Sequence, residues 1–206
     1  DADEFQRRYA AMPALKKAEL LRVVVYVPPP VMLEAHGEPH FELATWVGVY
    51  LAATPGVRGG DNTTVRLGPR DQPQPDVVLL LPPDRGRRAT IDADGYLSGP
   101  PDLAVEVAAS SASYDLTVKK ELFAEAGVPE YVVWRVRDRR VDWFVLREGR
   151  YERREPDPDG IYRSEGFPGL WLDPAALLAG DLAQVLAVLQ KGLASPEHAA
   201  FRGADS

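Results

Sequence analysis

Cysteine is absent from this sequence, so it offers no disulfide framework, no thiolate metal site and no cysteine nucleophile. Histidine is almost as scarce: only His36, His40 and His198 occur, too few for a histidine-rich zinc site. No apolar run approaches the roughly 18 residues of a membrane span. No charged-then-apolar leader is present, so the expectation is a cytoplasmic protein without membrane contact. The chain begins on Asp1, and a natural start upstream of it is expected. No glycine-rich phosphate loop occurs, which leaves a nucleotide cofactor unsupported. Positive charge is outnumbered, with 24 Lys+Arg against 31 Asp+Glu and a formal net charge of -7. That argues against bulk coating of nucleic acid and leaves room for a local basic groove.

What is present is ordinary for a soluble globular protein: 206 residues, 45% hydrophobic and 27% charged. Such a chain buries a core without staples. The expected organisation is an N-terminal extension over 1–17, one domain over 18–194 and a disordered tail over 195–206. Ala18 to Val27 is apolar and β-branched and reads as strand, ended by Pro28-Pro29-Pro30. From Pro39 to Ala53 apolar residues recur at helical spacing, and Thr54-Pro55-Gly56 stops them. Asn62 to Leu67 reads as a strand, and Asp76 to Leu81 as one buried on both faces. Asp94-Gly95 marks a hairpin turn within an excursion over 84–101.

Leu103 to Ala109 is the next buried strand, 110–114 a loop, and Asp115 to Ala126 a helix with Asp115 as N-cap and Gly127 as terminator. Glu130 to Arg137 and Val141 to Arg147 read as paired strands, Tyr151 to Ser164 as a further hairpin, and Leu177 to Leu193 as a terminal amphipathic helix. The order implies an α/β fold, a mixed sheet flanked by helices with a crossover helix between its third and fourth core strands.

Three features can carry chemistry. Asp76 stands at the mouth of a buried strand, although alone it reads equally as a strand-start residue. Glu106 is a charge inside LAVEVAA, costly in a central strand unless paired or bound to a cation. Strand alternation places it on the face of Ala104 and Ala108, where small neighbours leave room. Lys119 and Lys120 follow on the next helix, where a solvated face is the bland reading. Together, two carboxylates on neighbouring strands can hold a hard divalent cation, and a lysine can orient water or stabilise phosphate charge. That is the equipment of metal-assisted phosphodiester hydrolysis. Asp102 is a poor partner for Glu106, about 13 Å away at roughly 3.3 Å per residue.

Pro75-Asp76, Glu106 in its V-E-V setting, D-L-x-x-K over 115–119 and G-V-P-E-Y over 127–131 resemble, in this order and spacing, the Uma-two family. That family is a restriction endonuclease-like branch of the PD-(D/E)XK nuclease superfamily. The resemblance, from about Ala18 to Gly192, implies a restriction endonuclease-like core with extra β-hairpins. It implies Mg2+ (or Mn2+) held by Asp76, Glu106 and the peptide carbonyl of Val107. The motif lysine is missing, since position 108 is alanine, and the resemblance implies its migration to Lys119, with Lys120 as the neighbouring candidate. His40 resembles the family histidine, and Glu42 on the same helix is a further candidate site residue. The family's Asp-Gly hairpin turn is replaced here by Arg22-Val23, so a distorted or lengthened hairpin is expected there.

DNA is the expected partner. Between Arg135 and Arg154 stand eight arginines and four acids. Arg135, Arg137, Arg139 and Arg140, beside Trp134, Trp143 and Tyr151, are candidates for gripping phosphate and stacking on bases. A solvated hairpin face is the alternative. A homodimer is a further expectation, with Leu182, Val185, Leu186 and Leu189 either at the interface or packed on the chain's own sheet. The leading reading is a Mg-dependent endodeoxyribonuclease, and the alternative is a catalytically inactive nuclease-fold binding or assembly module.

Overall fold

The computed structural model describes residues 1–109 and 114–203. The chain opens with helix α1 (Ala2–Ala10), capped by Asp1, whose carboxylate accepts from the Glu4 N–H. Its Ala2 and Phe5 are buried against Ala18 and Leu20, so this segment is docked onto the body of the protein. The next segment turns back on itself as a hairpin, β1 (Glu19–Leu21) with β2 (Val24–Tyr26). The reversal falls at Arg22 and Val23, both at positive φ, 52° and 67°. Propensity alone predicts one continuous strand there. The turn forms although neither residue is glycine, and Asp71 helps by accepting the Arg22 N–H at 2.6 Å.

A wide helical turn over Leu33–Gly37 leads into α2 (Glu38–Ala53). The first sheet strand, β3 (Arg58–Asp61), comes earlier than the Asn62–Leu67 run suggests; only β4 (Val65–Arg66) falls within that run, in a small separate sheet. Then follow β5 (Val77–Leu80), the predicted hairpin β6 (Thr90–Ile91) and β7 (Leu97–Ser98), and β8 (Leu103–Ala108), buried along its whole length. The loop expected over 110–114 lies, up to residue 113, outside the described residues. After it comes a second wide helical turn over Asp115–Lys119, continuing into α3 (Lys120–Ala126). Asp115 is not the cap expected of it: its side chain is buried and turned towards Lys119. Gly127 ends the helix at φ 84°, a left-handed conformation that glycine adopts without steric cost.

β9 (Glu130–Arg135) runs parallel to β8, so α3 is the crossover. β10 (Arg140–Arg147) and β11 (Arg150–Arg154) complete the six-stranded sheet, ordered β11-β10-β9-β8-β5-β3 and antiparallel except at β8/β9. The hairpin expected over 151–164 does not form. β11 pairs back onto β10, while β12 (Tyr162–Arg163) pairs with β13 (Trp171–Leu172).

The expected terminal helix is interrupted at Gly180, giving α4 (Pro174–Leu178) and α5 (Leu182–Leu193). Of the tail expected to be disordered over 195–206, Pro196–Gly203 forms α6, docked through His198, which bonds Thr54 at 2.9 Å, and residues 204–206 lie outside the described residues. No helix among the described residues is long and apolar enough to cross a membrane.

The two sheet faces have different partners. Val77, Leu79, Val105 and Val107 bury themselves under Leu43, Trp46 and Tyr50 of α2 and Val185 and Leu189 of α5. Each such side chain contributes about 1.5–3 kcal/mol when removed from water. The α5 stripe therefore packs on its own fold. On the opposite face, Ala104, Ala108, Tyr131, Val133 and Phe144 meet Leu122 and Phe123 of α3 and Leu21 of the hairpin. Glu106 points to this second face, between the small side chains of Ala104 and Ala108. Those alanines leave space that the Asp115–Lys119 turn and the β1 hairpin fill with charged groups.

Candidate functional site

The pairing of β5 with β8 sets Val77 across from Val105. One rung further, Asp76 stands across from Glu106. Asp76 immediately precedes β5, outside its ladder with β8, and its carboxylate Oδ2 accepts the Val107 N–H at 2.8 Å. In a strand the N–H and C=O of one residue leave on the same side. The Val107 carbonyl is therefore directed to the β5 side, just beyond the first residue of that strand, beside Asp76.

Lys119 reaches Glu106 from the following helical turn. Its ammonium lies 2.8 Å from Glu106 Oε1, 3.0 Å from Glu19 Oε1 and 3.5 Å from Asp115 Oδ1. All four side chains are less than a tenth exposed. Glu19 arrives on β1, where it also accepts the Gln74 N–H at 2.7 Å. Asp115 and Lys119 sit four residues apart on one turn and so share a face. A second ammonium, Lys17, lies 3.0 Å from Asp76 Oδ1 and 3.3 Å from Asn62 Oδ1. His36 Nε2 stands 3.3 Å from Asp76 Oδ2, and His40 Nε2 lies 2.7 Å from Asp61 Oδ1 and 3.3 Å from the Asp76 carbonyl oxygen.

These groups line a cavity of about 390 Å³, walled on its other side by Val27, Pro28, Pro29, Pro30, Val31 and Met32. Four carboxylates (Asp76, Glu106, Glu19, Asp115) face two lysines, an excess of two negative charges before the histidines are considered. Burial works against charge on Asp76, but His36, Lys17 and the Val107 N–H outweigh it and hold its pKa far below the usual aspartate range. Burial raises the pKa of Glu106 well above the usual glutamate range, and the nearby Asp76 and Asp115 charges raise it further against the pull of the lysines. Lys119 is held firmly protonated: Glu106, Glu19 and Asp115 overcome the desolvation that would otherwise lower its pKa. The cluster therefore favours the protonated form of Glu106, as expected when negative charge exceeds the cations at hand.

The donor set suits a hard cation: two carboxylates and a peptide carbonyl at a cavity wall, with negative charge in excess. Among the described residues, no group of three or more His, Asp or Glu side chains is arranged as a ready metal cage. Asp76 and Glu106 would thus supply two side-chain ligands, with Val107 adding main-chain oxygen.

The other candidates from the sequence separate clearly. Lys120 points away, its ammonium 4.1 Å from the centre of the Phe144 ring. Glu42 is on α2 but does not line the cavity, whereas His40 does. Asp102 accepts the Leu81 N–H at 2.8 Å and stabilises the chain beyond β5.

The arginines gather at the β9–β10 turn, and the pairing of Ala108 with Arg135 puts them at the same end of the sheet as the cluster. Three guanidinium groups converge on buried Asp142: Arg135 at 2.8 Å, Arg140 at 3.1 Å and Arg153 at 2.9 Å. Arg139 donates to the Leu178 carbonyl at 3.0 Å, and Arg137 is exposed. Stacking on Trp134 and Trp143, which the sequence suggested, is ruled out: they are 6% and 0% exposed and belong to the core.

Sequence reasoning did not single out Lys17, Glu19 or His36 as site residues. Glu19 carries the same signal that exposed Glu106, an acid inside an apolar strand. Lys17 and His36 carry none, because only the hairpin and the wide turn bring them to Asp76.

No curated protein matches the chain. Among solved structures, it is similar to a "putative nuclease belonging to DUF820" from Anabaena variabilis, with a TM-score of 0.61 at 14% identity over 79% of this chain and 89% of that one. That likeness shows the fold, a restriction endonuclease-like arrangement of mixed sheet and flanking helices. The model of the family described as Uma2, "Putative restriction endonuclease", matches residues 2–175, and the chain belongs to that family.

Proposed function

We propose that the protein is a metal-dependent DNA endonuclease whose site is the cluster around Asp76 and Glu106. Membership of the Uma2 family and the nuclease fold support a nuclease, a hydrolase acting on nucleic acid. The observation that carries the finer reading is Asp76 across from Glu106 at the wall of a cavity, within a cluster whose carboxylates outnumber its lysines by two. Asp76, Glu106 and the Val107 carbonyl would hold Mg2+ or Mn2+. When bound, such an ion supplies Lewis acidity to water and to phosphate oxygen.

The chain's own residues do the rest. Val107 fixes the Asp76 carboxylate through its N–H. Lys119 orients Glu106 and favours its ionised form. Lys119 borders the cavity, but its ammonium is held by Glu106, Glu19 and Asp115 with 4% of the side chain exposed, so it acts through Glu106 and is a positioning residue. The apolar wall from Val27 to Met32 keeps bulk water from one side of the cavity. Arg137 and the arginines around Asp142, at the same end of the sheet, would meet phosphates flanking the scissile one.

Supercoiled plasmid incubated with Mg2+ tests this. Wild type should nick or linearise it, chelation should stop cleavage, and Asp76→Asn and Glu106→Gln should be inactive while folded by circular dichroism. Cleavage that persists in both variants contradicts the assignment. The second reading, an inert binding module, draws on the alanine at position 108 and on the lysines already paired with both carboxylates. It predicts DNA binding or partner binding without any cleavage.

A further inference from the structure

Two lysines enter the cluster, and their settings differ. Lys119 is enclosed by three carboxylates, with 4% of its side chain exposed. Lys17 comes from the segment before β1, lines the cavity, and keeps 21% of its side chain exposed. Its partner is Asp76 Oδ1, at 3.0 Å. The other oxygen, Oδ2, is occupied by the Val107 N–H at 2.8 Å and by His36 at 3.3 Å. The Asp76 oxygen left for a cation from solution is therefore the one that Lys17 holds.

An ammonium and a divalent ion cannot share one oxygen at contact distance without strong repulsion. Lys17 has the means to leave, with a flexible four-carbon stem and an exposed flank. Asn62, its second partner at 3.3 Å, is a neutral amide and binds it weakly.

Resting on the metal-site reading above, we propose that Lys17 is the resident cation of the site. Its ammonium neutralises Asp76 in the metal-free protein, is displaced when a divalent ion takes Oδ1, and then stands free at the cavity wall to contact a substrate phosphate. The displaced lysine supplies the substrate-facing positive charge that the enclosed Lys119 cannot. It also keeps the cluster folded when metal is scarce, because a buried, unpaired Asp76 carboxylate would be costly.

The test uses the full chain and Mn2+ alone. Acetylation of each lysine by an N-hydroxysuccinimide ester is followed by mass spectrometry, with and without saturating Mn2+. Lys17 should be modified several-fold faster with Mn2+, while Lys119 stays slow in both conditions. A shielded structural lysine behaves oppositely, so an unchanged or slower rate at Lys17 overturns the proposal. Calorimetry gives the second readout. If Lys17 leaves Asp76 about a tenth of the time, Lys17→Met should bind Mn2+ about tenfold tighter than wild type. Equal affinity in wild type and Lys17→Met overturns the displacement while leaving the metal site intact. Binding to neither protein overturns the metal site itself and the displacement with it.

Discussion

The Val107 N–H donates to Asp76 Oδ2 at 2.8 Å, so the strand that carries Glu106 also fixes the carboxylate standing across from it. The two acids are positioned by one sheet rung, and the charges around them are supplied by elements that pack onto the sheet: the β1 hairpin and the turn before α3. The predictions follow from this division.

Lys119 should matter for folding as much as for function. Replacing it by methionine leaves Glu106, Glu19 and Asp115 facing one another without their cation. Removing one partner from a buried charge network costs about 3–5 kcal/mol. Lys120→Met, which removes only a cation–ring contact from a half-buried lysine, should cost about 1 kcal/mol. Urea denaturation of the two variants measures the difference, and equal losses would contradict the buried placement of Lys119.

The metal-free protein should lose stability as pH rises above the ordinary glutamate value of 4.5, because Glu106 keeps its proton in the folded state and loses it in the unfolded one. The unfolded chain then binds fewer protons, so the slope of stability with pH is negative until the folded-state pKa is passed. Asp76 acts in the opposite sense, with stability lost only as pH falls below the ordinary aspartate value of 3.8. Glu106→Gln mimics the protonated acid and should remove the downward slope. Thermal unfolding at stepped pH checks this, and parallel curves for wild type and variant would contradict it.

Much of this site was legible because buried charge is conspicuous in an apolar strand. Glu106 stood out for that reason and Asp76 for standing at the mouth of such a strand, and the apolar runs after Asp76 and around Glu106 located β5 and β8. The same signal also marks Glu130, which is buried yet serves structure by accepting from Trp143, Ser164 and Gly166. Local sequence therefore finds buried acids without telling which of them open onto a cavity. Lys17 and His36 were not legible, since their proximity to Asp76 arises from long-range packing. Register errors had a similar origin. Asp159-Gly160 is a good turn, but Tyr162 and Arg163 find their partners in Trp171 and Leu172, a pairing set by the core.

The β1 hairpin turn offers a direct test of local strain. Val23 is β-branched and adopts φ 67° while 47% exposed, so its side chain gains little burial for an unfavourable backbone. Val23→Gly should stabilise the protein by about 1 kcal/mol. Urea midpoints decide; a destabilised variant would show that the valine side chain outweighs the backbone.

If the arginines of the β9–β10 turn meet phosphate, Arg137→Ala and Arg140→Ala should each weaken binding to duplex DNA and lower the slope of log affinity against log salt by about 0.9. Fluorescence anisotropy across a salt series measures both quantities. Unchanged slopes would place the nucleic acid elsewhere on the surface.

The central claim is a divalent cation held between Asp76 and Glu106, and calorimetric titration of Mn2+ into wild type and Glu106→Gln tests it most directly. The account predicts one site per chain in wild type, binding that strengthens as pH rises because Glu106 must release its proton, and no measurable binding in the variant. Equal binding by both proteins, or none by wild type with and without DNA present, would contradict it.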